Sequence, residues 1–397
     1  MASDRSQESF RFERKMRPIR HFWEHFRPSL AVIVTHDVSV RRFQGVLAHR
    51  KLRSGMALKF FFRFSLAYLG CALVLVSFIR NDVLAIIVGA YMQARNLIPE
   101  LAWVGLWLAF IACLPIVLLG ARDIKSKAVG ASYAFAGIVM FHLAFTMVKT
   151  TFPFVVPFYA DPFLADFDRW LHGRVDPWVH VYAWDNVIPI GSWVSTYMSV
   201  WFVPALAFPL ILCFLDNDAQ RVRRYSILYI LAWVFIGNVL ATIGSSVGPV
   251  YYDRVFGGDR FAELQEALAN GAVSMSAVAS VQDFLWRMHE EHGQAFGSGI
   301  SAFPSVHVST TVVFCLYLVE RAKLLAPFAA LYLAKILVMS VYTGYHYAID
   351  GYVSILVMVA AWAWLSRRAS RRDCSTDEKP VLDPALSACS NLVSPAE

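Results

Sequence analysis

The sequence has 397 residues, of which 57% are hydrophobic and 16% are charged, and its formal net charge is +7. Soluble domains average roughly 45–50% apolar and roughly 25% charged residues, so this composition excludes an ordinary soluble protein. The apolar residues are gathered in runs of about 20, the length that crosses a bilayer as a helix. The basic residues crowd the two ends and the short loops. This distribution of basic residues is typical of a membrane protein whose loops contact anionic lipid headgroups. It leaves no basic folded face that could bind nucleic acid.

Residues 1–55 form a basic arm studded with aromatic residues. This composition predicts a cytoplasmic helix on the membrane surface or a partly disordered arm, and a regulatory or partner-binding role stays open. The arm has no short apolar stretch followed by a cleavage site, so we predict no signal peptide. Six cysteines lie in apolar runs or in the tail without CxxC or Cys/His spacing, which predicts neither a disulfide framework nor a zinc site.

Eight apolar runs predict an all-α polytopic membrane protein with about eight transmembrane helices. A further apolar stretch, 83–98, is short and is predicted to lie at the membrane interface. With eight spans, the basic clusters of the loops and tail all fall on the side of the N-terminal arm, which the positive-inside rule assigns to the cytoplasm. Both termini are therefore predicted to be cytoplasmic. The predicted spans are 58–79, 101–121, 128–150, 190–215, 225–246, 304–320, 324–343 and 346–366.

The opposite, periplasmic or lumenal side receives two long segments, 151–189 and 247–303. The first combines tryptophans with carboxylates and predicts an interfacial helix with an aromatic belt. Its loosely spaced aspartates, Asp161, Asp166, Asp168 and Asp176, leave a metal site as the weaker alternative. The second segment is longer than a simple connection between two spans needs to be, and it is predicted to form a lid. Its middle, about 259–291, has helical periodicity.

Two short stretches at this side carry reactive side chains. The second of them, residues 342–350, contains His346 and Asp350, which are four apart and so lie within reach of each other on a helix. A carboxylate that holds one imidazole nitrogen leaves the other free and stabilises the charged ring. This pair therefore suits a histidine nucleophile or general base.

The first stretch, Phe-Pro-Ser-Val-His at residues 303–307, opens the sixth predicted span. Ser305 is placed to cap the helix or to donate to a phosphate oxygen, and free N–H groups at a helix start attract anions. Glycines at 297 and 299 are expected to add backbone donors. A phosphoryl group between the two stretches would allow His346 to attack phosphorus and His307 to act as acid and then base. The competing interpretation, two ordinary interfacial histidines, does not explain why three ionisable residues lie close to the bilayer.

These residues resemble the type 2 phosphatidic acid phosphatase superfamily, whose motifs are Pro-Ser-Gly-His and a later Ser-Arg…His…Asp. Pro304, Ser305 and His307 match the first motif, with valine in place of glycine, and His346 and Asp350 match the second. Methionine and serine stand at 339 and 340, where the family has Ser-Arg. An earlier family motif, Lys followed by Arg-Pro, matches at Lys149, but valine replaces its arginine.

The His-Tyr-Ala-Ile-Asp sequence at 346–350 looks more like the branch that contains inositol phosphorylceramide synthases and sphingomyelin synthases. The resemblance implies a six-helix core and metal-independent chemistry through a phosphohistidine, with no cofactor. It also implies a phospholipid or lipid phosphate as substrate and a lipid alcohol or water as acceptor. The implied organisation is a basic cytoplasmic arm (1–55), two N-terminal transmembrane helices (56–127), a six-helix catalytic domain (128–368) and a disordered cytoplasmic tail (369–397).

The residues that would replace the missing arginines remain open. Lys149 is either a phosphate contact or an interfacial lysine whose ammonium reaches out to water. Arg254 and Arg260 either supply a guanidinium from the loop or are solvated charges. Tyr251 is either a headgroup contact or, like Tyr252, an interface anchor. The alternative function is a transporter or non-catalytic scaffold that retains the fold, although the sequence shows no internal repeat.

Overall fold

The computed structural model of this protein describes residues 37–119, 124–185, 187–271, 277–293, 295 and 297–377. All regular elements in these residues are helices. Most of the predicted basic arm (1–36) and of the predicted disordered tail (378–397) lies outside the described residues. Residues 37–55 of the arm are helical and belong to the same helix as the first predicted span.

The α-helices are named here in chain order and are joined by short 3₁₀ and π-helical segments. The π-helical segment Leu231–Leu240 continues directly from the helix before it. The helices are α1 Asp37–Ile79, α2 Val83–Leu119, α3 Ile124–Val155, α4 Asp161–Leu171, α5 Pro177–Asp185, α6 Phe202–Leu215, α7 Ala219–Ile230, α8 Pro249–Phe256, α9 Ala262–Asn270, α10 Ala277–Glu290, α11 Val306–Arg321, α12 Ala326–Tyr342 and α13 Ala348–Asp377.

Six helical stretches in the described residues are long and apolar enough to cross a membrane, so the chain is an integral membrane protein. They coincide with six of the eight predicted spans. The other two predicted spans, 101–121 and 304–320, correspond to α2 and α11, which are not among the six. The six stretches are Ala57–Ile79, Lys127–Val155, Ile190–Leu215, Ala219–Ile243, Lys323–Tyr342 and Ala348–Ala369.

Helix α2 differs from the prediction for this region. It is one continuous helix of 37 residues, so 83–98 is not a separate interfacial segment. A helix of this length extends about 55 Å, which is more than the hydrocarbon core of a bilayer requires. The stretch 83–98 was separated because it is short for a span, and the helix continues from it through the proline at 99.

Helix α11 is the central helix of the fold. It packs against α6, α12, α13 and the π-helical segment Leu231–Leu240, and half of its residues are buried. It begins where Ser305 caps its first turn, with Oγ accepting the Val308 N–H at 3.3 Å. Because Ser305 and His307 stand at this start, the packing of α11 fixes both residues at one end of the helix bundle.

A network of basic and acidic residues lies at the opposite end of these helices. Arg221, in the first turn of α7, pairs with Asp216 at 2.5 Å. Arg224 pairs with Glu320, near the end of α11. The ends of the helices therefore differ in character: ion pairs gather at one end, and the histidine stretches lie at the other.

Candidate active site

His346 lies in the short loop before α13, and Asp350 lies in the first turn of that helix. The pair is therefore not on one helix face, as the spacing had predicted, but the two side chains still meet. His346 Nδ1 is 3.3 Å from Asp350 Oδ2 and 2.8 Å from the Ala302 carbonyl oxygen. Two acceptors at Nδ1 keep the proton on that nitrogen. Nε2 is then unprotonated, and its lone pair is an acceptor.

The free nitrogen of His346 faces the start of α11. Nε2 is 3.2 Å from Ser305 Oγ, and the ring is almost fully buried. Burial lowers the pKa of His346 from 6.5 to about 4, so the ring is neutral at physiological pH. Asp350 also accepts the Tyr347 N–H at 3.0 Å, which ties its carboxylate to the backbone of the same loop.

His307 is held flat between two aromatic side chains. Its ring stacks on Trp201 with centroids 3.9 Å apart and on Tyr197 with centroids 4.6 Å apart. The His307 and His346 rings are 5.9 Å apart and steeply inclined. No hydrogen bond in the described part of the chain uses the His307 ring nitrogens, so they are available to a group in the cavity that both histidines line.

Both histidines line a cavity of about 350 Å³. Lys149 and the loop 297–301 also line it, and the backbone N–H groups of Gly299, Ile300 and Ser301 donate to no acceptor within the described residues. The first N–H groups of α11 lie at the same place, since Val306 and His307 line the cavity as well. Unpaired N–H groups and a helix start together form an environment that suits an anion.

Among the described residues that line the cavity, Lys149 is the one lysine or arginine. It lies on α3, with its ammonium 5.8 Å from the Phe145 ring centroid, and forms no ion pair with any described carboxylate. Gly299 approaches its side chain closely: a Cβ there would lie 3.0 Å from Lys149 Cγ, and the residue has a φ of +93°. The backbone donors of the loop are therefore packed directly against the lysine.

Two aspartates of α4 hold the His346 loop from behind. Asp168 accepts the N–H groups of Ala348 and Ile349 at 2.8 and 3.0 Å. Asp161 accepts the Tyr347 hydroxyl at 3.0 Å and the Gly248 N–H at 2.8 Å. Burial raises the pKa of both carboxyl groups.

The arginines of the long loop do not reach the cavity. The Arg254 guanidinium lies 5.3 Å from the Trp286 ring centroid and is not part of the lining. Arg260 pairs with Asp166 at 2.5 Å and is 3.7 Å from Asp176. The aspartates of the segment 151–189 are thus engaged with backbone N–H groups or with Arg260. Among the described residues no cluster of His, Cys, Asp and Glu is arranged to hold a metal.

Tyr251 lines the cavity, and its hydroxyl donates to the Gln282 carbonyl at 2.9 Å. Gln282 belongs to α10, which also places Val281, Phe284 and Leu285 on the cavity wall. The segment 247–303 therefore contains helices, as its periodicity predicted, and one of them covers the site.

Several contacts of this site were missed at the level of sequence. The spacing of Tyr197 and Trp201, four residues apart in an apolar run, is a signal for one helical face. It does not distinguish a histidine sandwich from core packing. The Ala302 carbonyl leaves no sequence signal at all. Asp161 and Asp168 were noticed only as candidate metal ligands.

A family model described as the PAP2 superfamily matches residues 162–364, just over half of the chain. This is the superfamily that the two histidine motifs resemble. Comparison with curated proteins and with solved structures found no match.

Proposed function

The chain belongs to the PAP2 superfamily, and on this premise we propose that it transfers the phosphoryl group of a lipid-linked phosphate to a lipid alcohol or to water. The superfamily indicates a function of the lipid phosphatase or phosphotransferase type. The observation that carries the proposal is a pair of neighbouring histidines on the wall of an anion-suited cavity, with the proton of His346 held at Nδ1 and the lone pair of Nε2 directed to Ser305 Oγ.

In the first half of the proposed reaction, His346 Nε2 attacks phosphorus. The P–N bond forms as the P–O bond to the leaving group breaks, and the His307 imidazolium gives its proton to the leaving oxygen. In the second half, neutral His307 takes the proton of the acceptor hydroxyl while its oxygen attacks phosphorus. The P–N bond then breaks, which restores His346. Asp350 keeps Nδ1 protonated and stabilises the ring as it becomes cationic.

The phosphate oxygens are assigned to Lys149, to the unpaired N–H groups of the 299–301 loop and to the first turn of α11. Fixed donors aimed at developing charge in a dry site are effective transition-state stabilisers. The Ser305 hydroxyl donates to His346 Nε2 at 3.2 Å in this structure, and it becomes available to the same oxygens once Nε2 bonds to phosphorus. In this proposal the chemistry is metal-independent, because the cationic role falls to Lys149.

Transfer to a lipid alcohol is favoured over hydrolysis by the walls of the cavity. Most of its lining is aromatic or aliphatic, and Val281, Phe284 and Leu285 of α10 form part of its wall. Such apolar walls disfavour attack by water on the proposed phosphoenzyme. The arginines of the phosphatase motifs are also missing. Both features support an enzyme that resembles the inositol phosphorylceramide and sphingomyelin synthases, with 128–368 as the catalytic domain.

The proposed topology has eight spans, in which α2 and α11 are counted with the six apolar stretches. Both termini lie in the cytoplasm and the active site faces the periplasm or lumen. The ion pairs at one end of the bundle, together with the basic residues of the loops there, support this orientation by the positive-inside rule.

The test is to offer the purified full chain a panel of radiolabelled phospholipids and lipid phosphates with ceramide or diacylglycerol. Label is then followed into free phosphate, a new lipid or an acid-labile phosphoenzyme. We expect the His346→Ala variant to lose product and phosphoenzyme by at least about 1,000-fold. The control is His180→Ala, which removes an exposed histidine outside the cavity. Identical lipid profiles for the wild type and His346→Ala would contradict the proposal and favour a non-catalytic transporter or scaffold.

A further inference from the structure

One face of α3 connects the candidate phosphate site with the interior of the membrane. His142, Phe145, Thr146 and Lys149 recur at helical spacing, and all four line the cavity. Thr146 lies about 4.5 Å and His142 about 10 Å from Lys149 along the helix axis. The PAP2 superfamily match begins at residue 162, so this wall of the cavity lies outside the matched region.

The deeper part of this face is polar, although it lies in the middle of a membrane span. Thr146 Oγ1 accepts the Gln93 side-chain N–H at 3.0 Å, and its own O–H donates to no acceptor in the described part of the chain. A buried hydroxyl in an apolar span is costly when its hydrogen bonds are incomplete, and such groups tend to be functional. The Thr146 hydroxyl is therefore a hydrogen-bond donor that is available to a ligand.

His142 adds an acceptor one turn deeper. Its Nε2 is 3.0 Å from the Tyr229 hydroxyl, which donates to the Leu206 carbonyl at 3.2 Å. With the hydroxyl hydrogen donated to Leu206, Nε2 carries the proton of the His142 ring and donates it to the Tyr229 oxygen. Nδ1 is left as an acceptor that the hydrogen bonds of the described residues do not use.

The space between this polar pair and the phosphate site is apolar. Phe145, Met198, Phe202 and Trp233 form the walls, and the Trp233 ring packs edge-on against Phe145 at 4.8 Å and His142 at 4.7 Å. The cavity therefore has two polar ends, an anion-suited end at Lys149 and a neutral end at Thr146 and His142. A lipid phosphate whose backbone carries an acyl linkage a few bonds from phosphorus has the same pattern.

We propose that Thr146 and His142 form a subsite for an acyl linkage of the lipid, in which the Thr146 hydroxyl donates to an ester or amide carbonyl. This proposal rests on the proposed function, because it takes the phosphate to lie at Lys149. An ester lipid would use Thr146 alone, whereas the N–H of an amide lipid would also donate to His142 Nδ1. A prenyl phosphate or an ether lipid has no carbonyl or amide N–H at this position, so it would pair with neither the Thr146 O–H nor His142 Nδ1.

Binding of non-hydrolysable phosphonates tests the subsite without any turnover. The full chain in detergent is titrated with a diacyl phosphonate and its dialkyl ether counterpart, and the dissociation constants follow from tryptophan fluorescence, since Trp201 and Trp233 line the cavity. We expect the wild type to bind the diacyl form about 5- to 30-fold more tightly. Thr146→Val should bind both forms equally.

The matched control is Thr151→Val on the same helix. Thr151 is buried, and its hydroxyl donates only to the Met147 carbonyl of α3 itself, so this variant should keep the wild-type preference. Equal binding of both phosphonates by the wild type would overturn the proposal. The proposal would also be overturned if Thr146→Val kept the full preference for the diacyl phosphonate or if Thr151→Val lost it. Failure of the wild type to bind either phosphonate would overturn it as well.

A third ligand, the N-acyl amide phosphonate, identifies the linkage. If the wild type binds the amide phosphonate more tightly than the diacyl ester phosphonate, the natural lipid carries an amide linkage. If it binds the amide phosphonate more weakly, the natural lipid carries an ester linkage. Either assignment requires that the wild type first prefers the diacyl phosphonate over the dialkyl ether. The two proposals fail separately. If the phosphonates bind as expected but labelled lipids yield no product or phosphoenzyme, the subsite stands and the proposed chemistry does not.

Discussion

The ring of His346, the proposed nucleophile, is oriented by two hydrogen-bond acceptors on its Nδ1 side. The Ala302 carbonyl and Asp350 both face Nδ1, so the proton stays on that nitrogen and the lone pair of Nε2 points to Ser305 and the cavity. A histidine with one acceptor would also have the correct tautomer. The second acceptor fixes the ring orientation too, which matters because near-attack geometry contributes much of the rate of such reactions.

The lowered pKa of His346 predicts an unusual pH profile. With a lipid p-nitrophenyl phosphodiester, the leaving group needs no proton and the substrate charge stays constant. The initial rate of nitrophenol release should then be flat from pH 8 to pH 5 and fall only as the pH approaches 4. A rate that falls with a midpoint near 6.5 would show an ordinary histidine.

The same shift predicts how stability depends on pH. The folded chain holds fewer protons at His346 than the unfolded chain between pH 6.5 and about 4, so stability decreases as the pH falls through this window. Rates are therefore measured as initial rates, with the melting temperature of the protein followed at each pH.

Lys149 is predicted to bind the phosphate oxygens. Lys149→Met removes the charge that faces them, and one charge-assisted hydrogen bond contributes about 1.5–3 kcal/mol. KM for a lipid phosphate should rise about 10- to 100-fold, while the protein remains folded. Lys335→Met is the control, because that ammonium lies 4.9 Å from the Trp193 ring centroid and outside the cavity lining. If the Lys149 ammonium instead only reaches out to water, KM should change equally little in Lys149→Met and Lys335→Met.

Helix α4 has one face towards the loop that contains His346 and another face that is exposed and aromatic. Its inner face carries Asp161 and Asp168, which hold residues 347–349. Its outer face exposes Phe163, Phe167 and Trp170, whose rings stack in series. An amphipathic helix of this kind is expected to lie in the interface of the bilayer. The geometry of His346 therefore depends on a helix that precedes it by almost 180 residues.

Asp168→Asn is predicted to reduce kcat more than it changes KM. Asparagine keeps one oxygen and can accept only one of the two backbone N–H groups. The other N–H would face the asparagine NH₂, so the start of α13 and His346 should shift. We expect kcat to fall about 10- to 100-fold, because small misplacements of a catalytic group are costly. Kinetics of the purified variant measure both constants.

Asp166→Asn is the matched control on the same helix. Asp166 points away from the His346 loop and pairs with Arg260, and its side chain is 73% exposed. The substitution should leave kcat within about twofold, since exposed ion pairs contribute little. Equal losses of kcat in the two variants would show that α4 matters for folding alone.

For the whole molecule, the sequence predicted the helical class, the superfamily and six of the membrane-crossing stretches, because each depends on local hydrophobicity or on short motifs. The cavity wall could not be predicted in the same way. Lys149, Trp201 and His346 are brought together from three distant segments, and no local pattern records such contacts. The continuity of α2 was missed because the apolar stretch 83–98 is too short for a span when its length is considered alone.

The proposed orientation can be tested by introducing one cysteine at each end of the bundle, in a background whose six cysteines are replaced. Asp259→Cys lies in the segment assigned to the periplasm or lumen, and Lys323→Cys lies in a loop assigned to the cytoplasm; both positions are exposed. An impermeant maleimide should label Asp259→Cys in intact spheroplasts but label Lys323→Cys only after lysis, because a sealed bilayer separates the two positions. Labelling of both before lysis, or the reverse order, would contradict the orientation. The latter result would place the phosphate chemistry in the cytoplasm.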